Sequence, residues 1–293
     1  MNNFTIKDLE NLSGIKAHTI RIWEQRYSLI KPFRTDTNIR YYTNDELKKV
    51  LNIALLNKYG YKISHIDKMT DDEMKEKILS LGPSDAQHER IVNDLIKKMV
   101  DMDIESFEAV LDNYILARGI ERAIPNLIFP FLEKVGILWL TNHINPAQEH
   151  LVTNVIRQKL IVGIDGVSSP LKINKKILLF LPEGEYHELG LLYLNYILKS
   201  KGITTIYLGA NIPSKDVTEV INLLKPDYLY THLTTLGSNF NIDKFLSGLM
   251  KSTHKAPIVV SGQLTKTITK KLGSSVLIKR SFAEVMDFVS SLL

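Results

Sequence analysis

Apolar positions along this chain follow two different patterns. Up to about residue 163 they recur at helical spacing; from Leu171 onward they form short runs rich in β-branched and aromatic residues. In the first stretch, TIKDLENLS reads as a short helix, with Thr5 as N-cap and Asp8 as the far half of a capping box, stopped by Gly14. A second helix runs from about Lys16 to Tyr27 with Ile15, Ile20 and Trp23 at inward spacing. Two short helices across a tight turn containing glycine make a helix-turn-helix. The segment RTDTNIRYY reads as a small hairpin turning at Asp36, Thr37 and Asn38, and a long helix from Thr43 follows, broken at Gly60. Residues 71–87 read as a polar linker region with one weak helix, ending near Gly82 and Pro83. Four helical segments come next, 88–101, 103–117, 119–137 and 145–163, the third interrupted by Pro125 and Pro130. A four-helix bundle packs them most economically.

Beyond Leu171, KKILLFLP, TTIYLG, DYLYTHL, APIVVSG and SVLIK are strand-like. Amphipathic stretches near 187–200, 214–224, 240–252, 264–272 and 282–292 lie between and after them. Strands alternating with helices predict a doubly wound, parallel sheet with right-handed crossovers. The expected fold is therefore multidomain. An all-α winged helix-turn-helix spans 1–75, a four-helix bundle 76–166, and an α/β Rossmann-like (flavodoxin-like) domain with a five-stranded parallel sheet 170–293.

Charge sharpens this picture at one end. The first 70 residues hold 12 basic and 7 acidic residues, so the whole formal excess of +5 lies there and the rest of the chain is balanced. A local basic excess is the footprint of a polyanionic partner. The absence of cysteine excludes disulfides, thiolate metal sites and a cysteine nucleophile. No apolar run approaches the roughly 20 residues of a membrane span, and MNNFTIKDLE lacks the layout of a secretory signal. A cytoplasmic protein away from membranes is expected. No Ser-His-Asp grouping, P-loop or paired-carboxylate motif argues for an enzyme.

In a helix-turn-helix the second helix enters the major groove. Here it offers Lys16, His18, Thr19, Arg21 and Arg26, while the hairpin adds Arg34, Arg40 and Tyr41 as a wing reaching phosphates or the minor groove. The stretches FTIKDLENLSGIKAHTIRIWEQRY and NIRYYTNDEL resemble the MerR family of regulators over roughly residues 4–70. That resemblance implies a homo-oligomer, at least a dimer, on near-palindromic double-stranded DNA.

A second candidate site follows the first α/β strand. Glu185-Tyr186-His187-Glu188-Leu189-Gly190 puts a histidine at a strand's carboxyl end, where open α/β sheets bind ligands. Such a histidine can ligate a metal while a carboxylate accepts from its other nitrogen, and a glycine lets a ligand approach the backbone. The segment resembles the cobalamin fingerprint Asp-x-His-x-x-Gly, with Thr234-Thr235-Leu236 and Ser261-Gly262-Gln263 near the places of its later Ser-x-Leu and Gly-Gly elements. The resemblance implies His187 as lower axial cobalt ligand, with the displaced nucleotide tail in a slot lined by the later motifs.

Trp139, followed after nine residues by Glu149-His150, resembles the signature of the cobalamin-dependent light-sensing repressors of the MerR family. This implies adenosylcobalamin, capped by the bundle and contacted by Trp139, Glu149 and His150, in a dimer or tetramer that light dissociates. The chain departs from the pattern in having Glu185 for Asp, Thr234 for Ser, Gln263 for the second Gly, and Leu140 where the light sensors carry a His. His143 and His150 are the histidines nearest to standing in for it. Two alternatives stay open: a cobalamin-independent regulator governed by a protein partner, and a cobalamin-dependent methyl carrier.

Overall fold

The computed structural model describes residues 4–27, 29–35, 37–81, 84–140, 144–236, 240–252, 256–268, 273 and 275–293. Asp36, Gly82, Pro83, His143, His254 and residues 269–272 lie outside these, as do the side chains of Trp139 and Leu140. By packing, the chain divides into two compact units, Met1–Ile156 and Arg157–Leu293, so the first gathers the expected helix-turn-helix and most of the expected bundle together.

The first unit opens with α1 (Ile6–Ser13), capped as its sequence predicts: Thr5 Oγ1 accepts from the Asp8 amide, and the Asp8 carboxylate accepts from the Thr5 amide at 2.6 Å. Gly14 ends it at φ +76°, the left-handed conformation that favours glycine. Helix α2 (Ala17–Arg26) buries Ile20 and Trp23 against this turn. Strands β1 (Phe33–Arg34) and β2 (Arg40–Tyr41) form the expected hairpin, and Phe4 pairs with Tyr42 beside it. Helices α3 (Asn44–Lys58) and α4 (Ile63–Ile66) flank Gly60.

Helix α5 (Asp71–Leu79) carries the one helix expected in the polar stretch. A Thr70–Glu73 capping box starts it, and Met74 and Ile78 are buried, so it is a packed element and not a linker. Helices α6 (Ser84–Val100), α7 (Ile104–Arg118), α8 (Ile120–Ala123), α9 (Phe129–Leu140) and α10 (Pro146–Gly166) follow. Between α8 and α9, residues Ile124–Ile128 wind as a π-helix. Pro125 and Pro130 lack the N–H that an α-helical turn requires, and the wide turn keeps the chain helical where a break was expected.

The second unit contains β3 (Ile173–Pro182), α11 (Leu189–Ser200), β4 (Ile203–Ile212), α12 (Ser214–Leu224), β5 (Tyr228–His232), α13 (Ile242–Ser252), β6 (Ile258–Ser261), β7 (Val276–Ile278) and α14 (Phe282–Ser291). Five parallel strands are ordered β4-β3-β5-β6-β7, as expected of a flavodoxin-like sheet. Strand β3 is buried from Ile177 to Pro182, as a central strand covered on both faces must be. The chain crosses from β3 to β4 on one side and from β5 to β6 on the other, so the loops after β3 and β5 diverge at the topological switch point. The helix expected at 264–272 is corrected over its described part: Gln263–Thr267 is a short 3-10 turn. Gly262 enters it at φ +97°, and the Leu264 amide donates to Leu233 O at 3.1 Å, tying the segment to the end of β5.

Candidate functional site

In the first unit, burying Ile20 and Trp23 leaves the opposite side of α2 in solvent. His18, Arg21, Ile22, Gln25 and Arg26 are exposed there and Thr19 is half-buried. His18, Ile22 and Gln25 follow one line at helical spacing, with Arg21 beside it. Ile22 and Gln25 were missed by counting charges. An apolar side chain suits a thymine methyl, and a carboxamide suits adenine. Their signal was simply the helical phase opposite Ile20 and Trp23.

Several expected DNA contacts also have partners inside the protein. Lys16 Nζ pairs with Glu10 at 3.3 Å, and the same carboxylate accepts from the Ala17 amide at 3.1 Å, which fixes the start of α2. The Lys7 hydrogen bond first, then that from Ala17, pull the Glu10 carboxyl down to about 2. Arg40 lies 3.8 Å from Glu24, which also accepts from the Tyr42 hydroxyl, so the wing is keyed to α2. Arg34 donates to Asn38 at 2.5 Å, bracing the hairpin turn, and Tyr41 stacks on the exposed Phe33 at 5.7 Å.

In the second unit, Glu185 is fully buried at the switch point. One carboxylate oxygen accepts from the His187 amide at 3.1 Å and stands 2.6 Å from His187 Nδ1; the other accepts from the amides of Thr234 at 2.7 Å and Thr235 at 2.8 Å. Burial by itself would raise this carboxyl, but the hydrogen bonds from His187, Thr235 and Thr234 outweigh it and hold the group below its ordinary value. The extra methylene of Glu over Asp thus reaches from the β3 loop across to the β5 loop. With Nδ1 against a carboxylate, Nε2 of the exposed His187 is the nitrogen a metal would take. Among the described residues no cluster of three or more His, Asp or Glu could hold a bare ion. A metal at His187 would bring its own ligand set, as a corrin does.

The glycines of the fingerprint are filled by the chain itself. A Cβ at Gly190 would lie 2.8 Å from Nε2 of His232, so the space expected for a ligand is taken by that ring. A Cβ at Gly262 would lie 2.3 Å from Leu233 O, so this glycine admits a neighbouring backbone. His232 Nδ1 lies 2.7 Å from Ser261 Oγ, which accepts from the buried Tyr230 hydroxyl at 2.6 Å. Burial pushes His232 down to about 4, with the Glu185 charge opposing. His232 went unnoticed because DYLYTHL reads as an ordinary strand. Thr234 joins the site through its amide, and Leu236 lies beside Gly184. Next to them Glu188 holds Arg157 at 2.5 Å and accepts from Tyr207 at 2.8 Å.

Glu149 and His150 start α10 and pair with each other at 3.1 Å, His150 largely exposed. Trp139 lies in the last turn of α9. The space a Cβ would need at Gly190 and Gly262 is taken by His232 and by Leu233 O.

Fold and sites define a class: a winged helix-turn-helix chain with a helical segment and a flavodoxin-like domain carrying His187 and His232 at its switch point. Residues 4–73 match the MerR HTH family regulatory protein and residues 91–162 the B12 binding domain. The chain joins a MerR-type helix-turn-helix to a B12-binding domain. It is homologous over most of its length to two HTH-type transcriptional repressors of Myxococcus xanthus. CarA is 26% identical over 260 residues, covering 88% of this chain and 85% of the relative; CarH is 26% identical over 272 residues, covering 90% of each. The monomethylamine corrinoid protein of Methanosarcina barkeri shares the fold, with a TM-score of 0.52 at 14% identity over 70% of this chain and 100% of that one. No helix among the described residues is long and apolar enough to cross a membrane.

Proposed function

We propose that this chain is a transcriptional repressor that binds double-stranded DNA through α2 and the hairpin wing and is controlled by a corrinoid ligated through His187. The observation that carries the reading is the Glu185–His187 pair at the switch point, in a chain whose N-terminal unit presents a basic, exposed second helix. Glu185 orients the imidazole and keeps its Nδ1 engaged, as the carboxylate partner of a metal-bound histidine does. Adenosylcobalamin, bound there, would supply a cobalt–carbon bond that light can break. Trp139, Glu149 and His150 enter this proposal through the resemblance, as residues contacting the adenosyl side. A homo-oligomer, dimer or tetramer, would place paired α2 helices on a near-palindromic site. Linked half-sites raise affinity well beyond either alone. The chain works as a regulator in this reading, not as an enzyme.

The ring of His232 against Gly190 favours one second reading: a regulator that has given up the full cofactor and answers to a protein partner. One experiment separates the two. The protein is mixed with adenosylcobalamin in the dark, desalted and scanned, then illuminated. Retained corrin absorption that changes with light, lost in His187→Ala, is the expected result. A colourless protein that still shifts DNA from upstream of its own gene would overturn corrinoid control and leave the partner reading.

A further inference from the structure

A cavity lies wholly in the first unit. Helices α3, α5, α6 and α7 enclose about 650 Å³, in the range of sites for small organic ligands. Leu47, Leu51 and Ile96 give it an apolar floor, and the partly exposed Ile91 and Val110 line it as well. Lys48, Lys75, Lys97, Arg90 and Arg118 also line it with Asp94; at its edge Lys75 pairs with Asp72 at 2.9 Å and Lys97 with Asp101 at 3.8 Å, while Lys48 has the two lysines for neighbours. Burial first, then the adjacent Lys97 and the charge of Lys75, make the Lys48 ammonium easier to deprotonate than usual. Crowded cations of this kind are relieved by an anion.

A separate observation points the same way. Tyr114 lines the cavity, is only 8% exposed, and its hydroxyl has no hydrogen-bond partner among the described residues. The same holds for Oδ1 of Asn44, which also lines the cavity and whose Nδ2 donates to Asp101. Buried polar groups normally find partners, and two orphans in one cavity mark where a ligand's polar atoms belong.

We propose that this cavity binds a small amphiphilic organic anion, its acidic head on Lys48 and Lys97 and its body on the Leu47–Leu51 floor, with a hydroxyl or amide meeting Tyr114 and Asn44. Because α3 lies within the segment matching the MerR family and α7 within that matching the B12 binding domain, such a ligand touches both and provides an input independent of His187.

The test uses the full chain and anilinonaphthalene sulfonate, a fluorescent organic anion. Saturable binding is expected, weakened at least tenfold in Lys48→Gln/Lys97→Gln and about threefold in Tyr114→Phe. It should compete with both decanoate and decyl phosphate and be indifferent to cobalamin. Circular dichroism checks that the variants stay folded. Neutral phenylnaphthylamine should bind more weakly and equally to wild type and the double variant. Equal sulfonate binding by wild type and a folded double variant, or displacement by cobalamin, would overturn the proposal.

Discussion

The two candidate sites of this molecule treat their polar groups in opposite ways. At the switch point of the second unit, Glu185 is fully buried and meets four donors from two loops. In the helical cavity of the first unit, a tyrosine hydroxyl and an amide oxygen are buried without partners among the described residues, and a lysine is crowded by two others. One site is finished before any ligand arrives. The other stays costly until something fills it. Preorganised groups hold geometry, whereas orphaned groups store an unmet demand that a ligand can answer.

Substitution should expose that contrast. The largest effect is expected from Glu185→Ala, which removes the acceptor of the His187 ring and of the His187, Thr234 and Thr235 amides at once. A loss of about 3–5 kcal/mol in the second unit follows from two or three unmet groups, read by hydrogen exchange of the β3 and β5 amides. Retention of wild-type protection would break the comparison.

Acid comes next. His232 titrates in the folded chain near 4, below its ordinary 6.5, so only the unfolded chain takes up that proton between those values. Stability therefore falls as pH drops from about 6.5 to 4, by up to about 3 kcal/mol. Glu185, also lowered, adds to the loss below about 4.3. His232→Gln should flatten the upper part of the curve and leave the lower part.

The glycine beside that ring gives a smaller and more pointed effect. Gly190→Ala drives a methyl into His232 and should cost about 1–3 kcal/mol. His232→Ala clears the same space and should tighten cobalamin about tenfold, without changing cobinamide, which has no nucleotide tail. Equal gains for both corrinoids would show that the ring does not guard a slot. Smallest is Tyr114→Phe, which removes an orphan hydroxyl. It should be neutral or stabilising by about 0.5–1 kcal/mol in thermal unfolding.

Much of this was legible in the sequence because it is local. The Thr5–Asp8 box, the stop at Gly14 and the five strands depend on neighbours a few residues away. Glu185 and His187 were legible for the same reason, being two apart. What escaped depends on distant packing. His232 looks like one more strand residue until Gly190, 42 positions earlier, is seen to yield it room. The helical cavity needs four helices assembled before its cations face one space. In the described part of the helix expected at 264–272, Gln263–Thr267 winds as a 3-10 turn and Ile268 is extended, a local tightening that helical periodicity does not reveal.

Glu24 ties Arg40 and Tyr42 of the wing strand and its flank to the middle of α2. Wing and reading helix therefore behave as the two jaws of a caliper with a fixed gap. On DNA such a caliper gauges the spacing between a major-groove wall and the neighbouring backbone, which varies with sequence through groove width and stiffness. Bases that no side chain touches would then still decide where this protein sits.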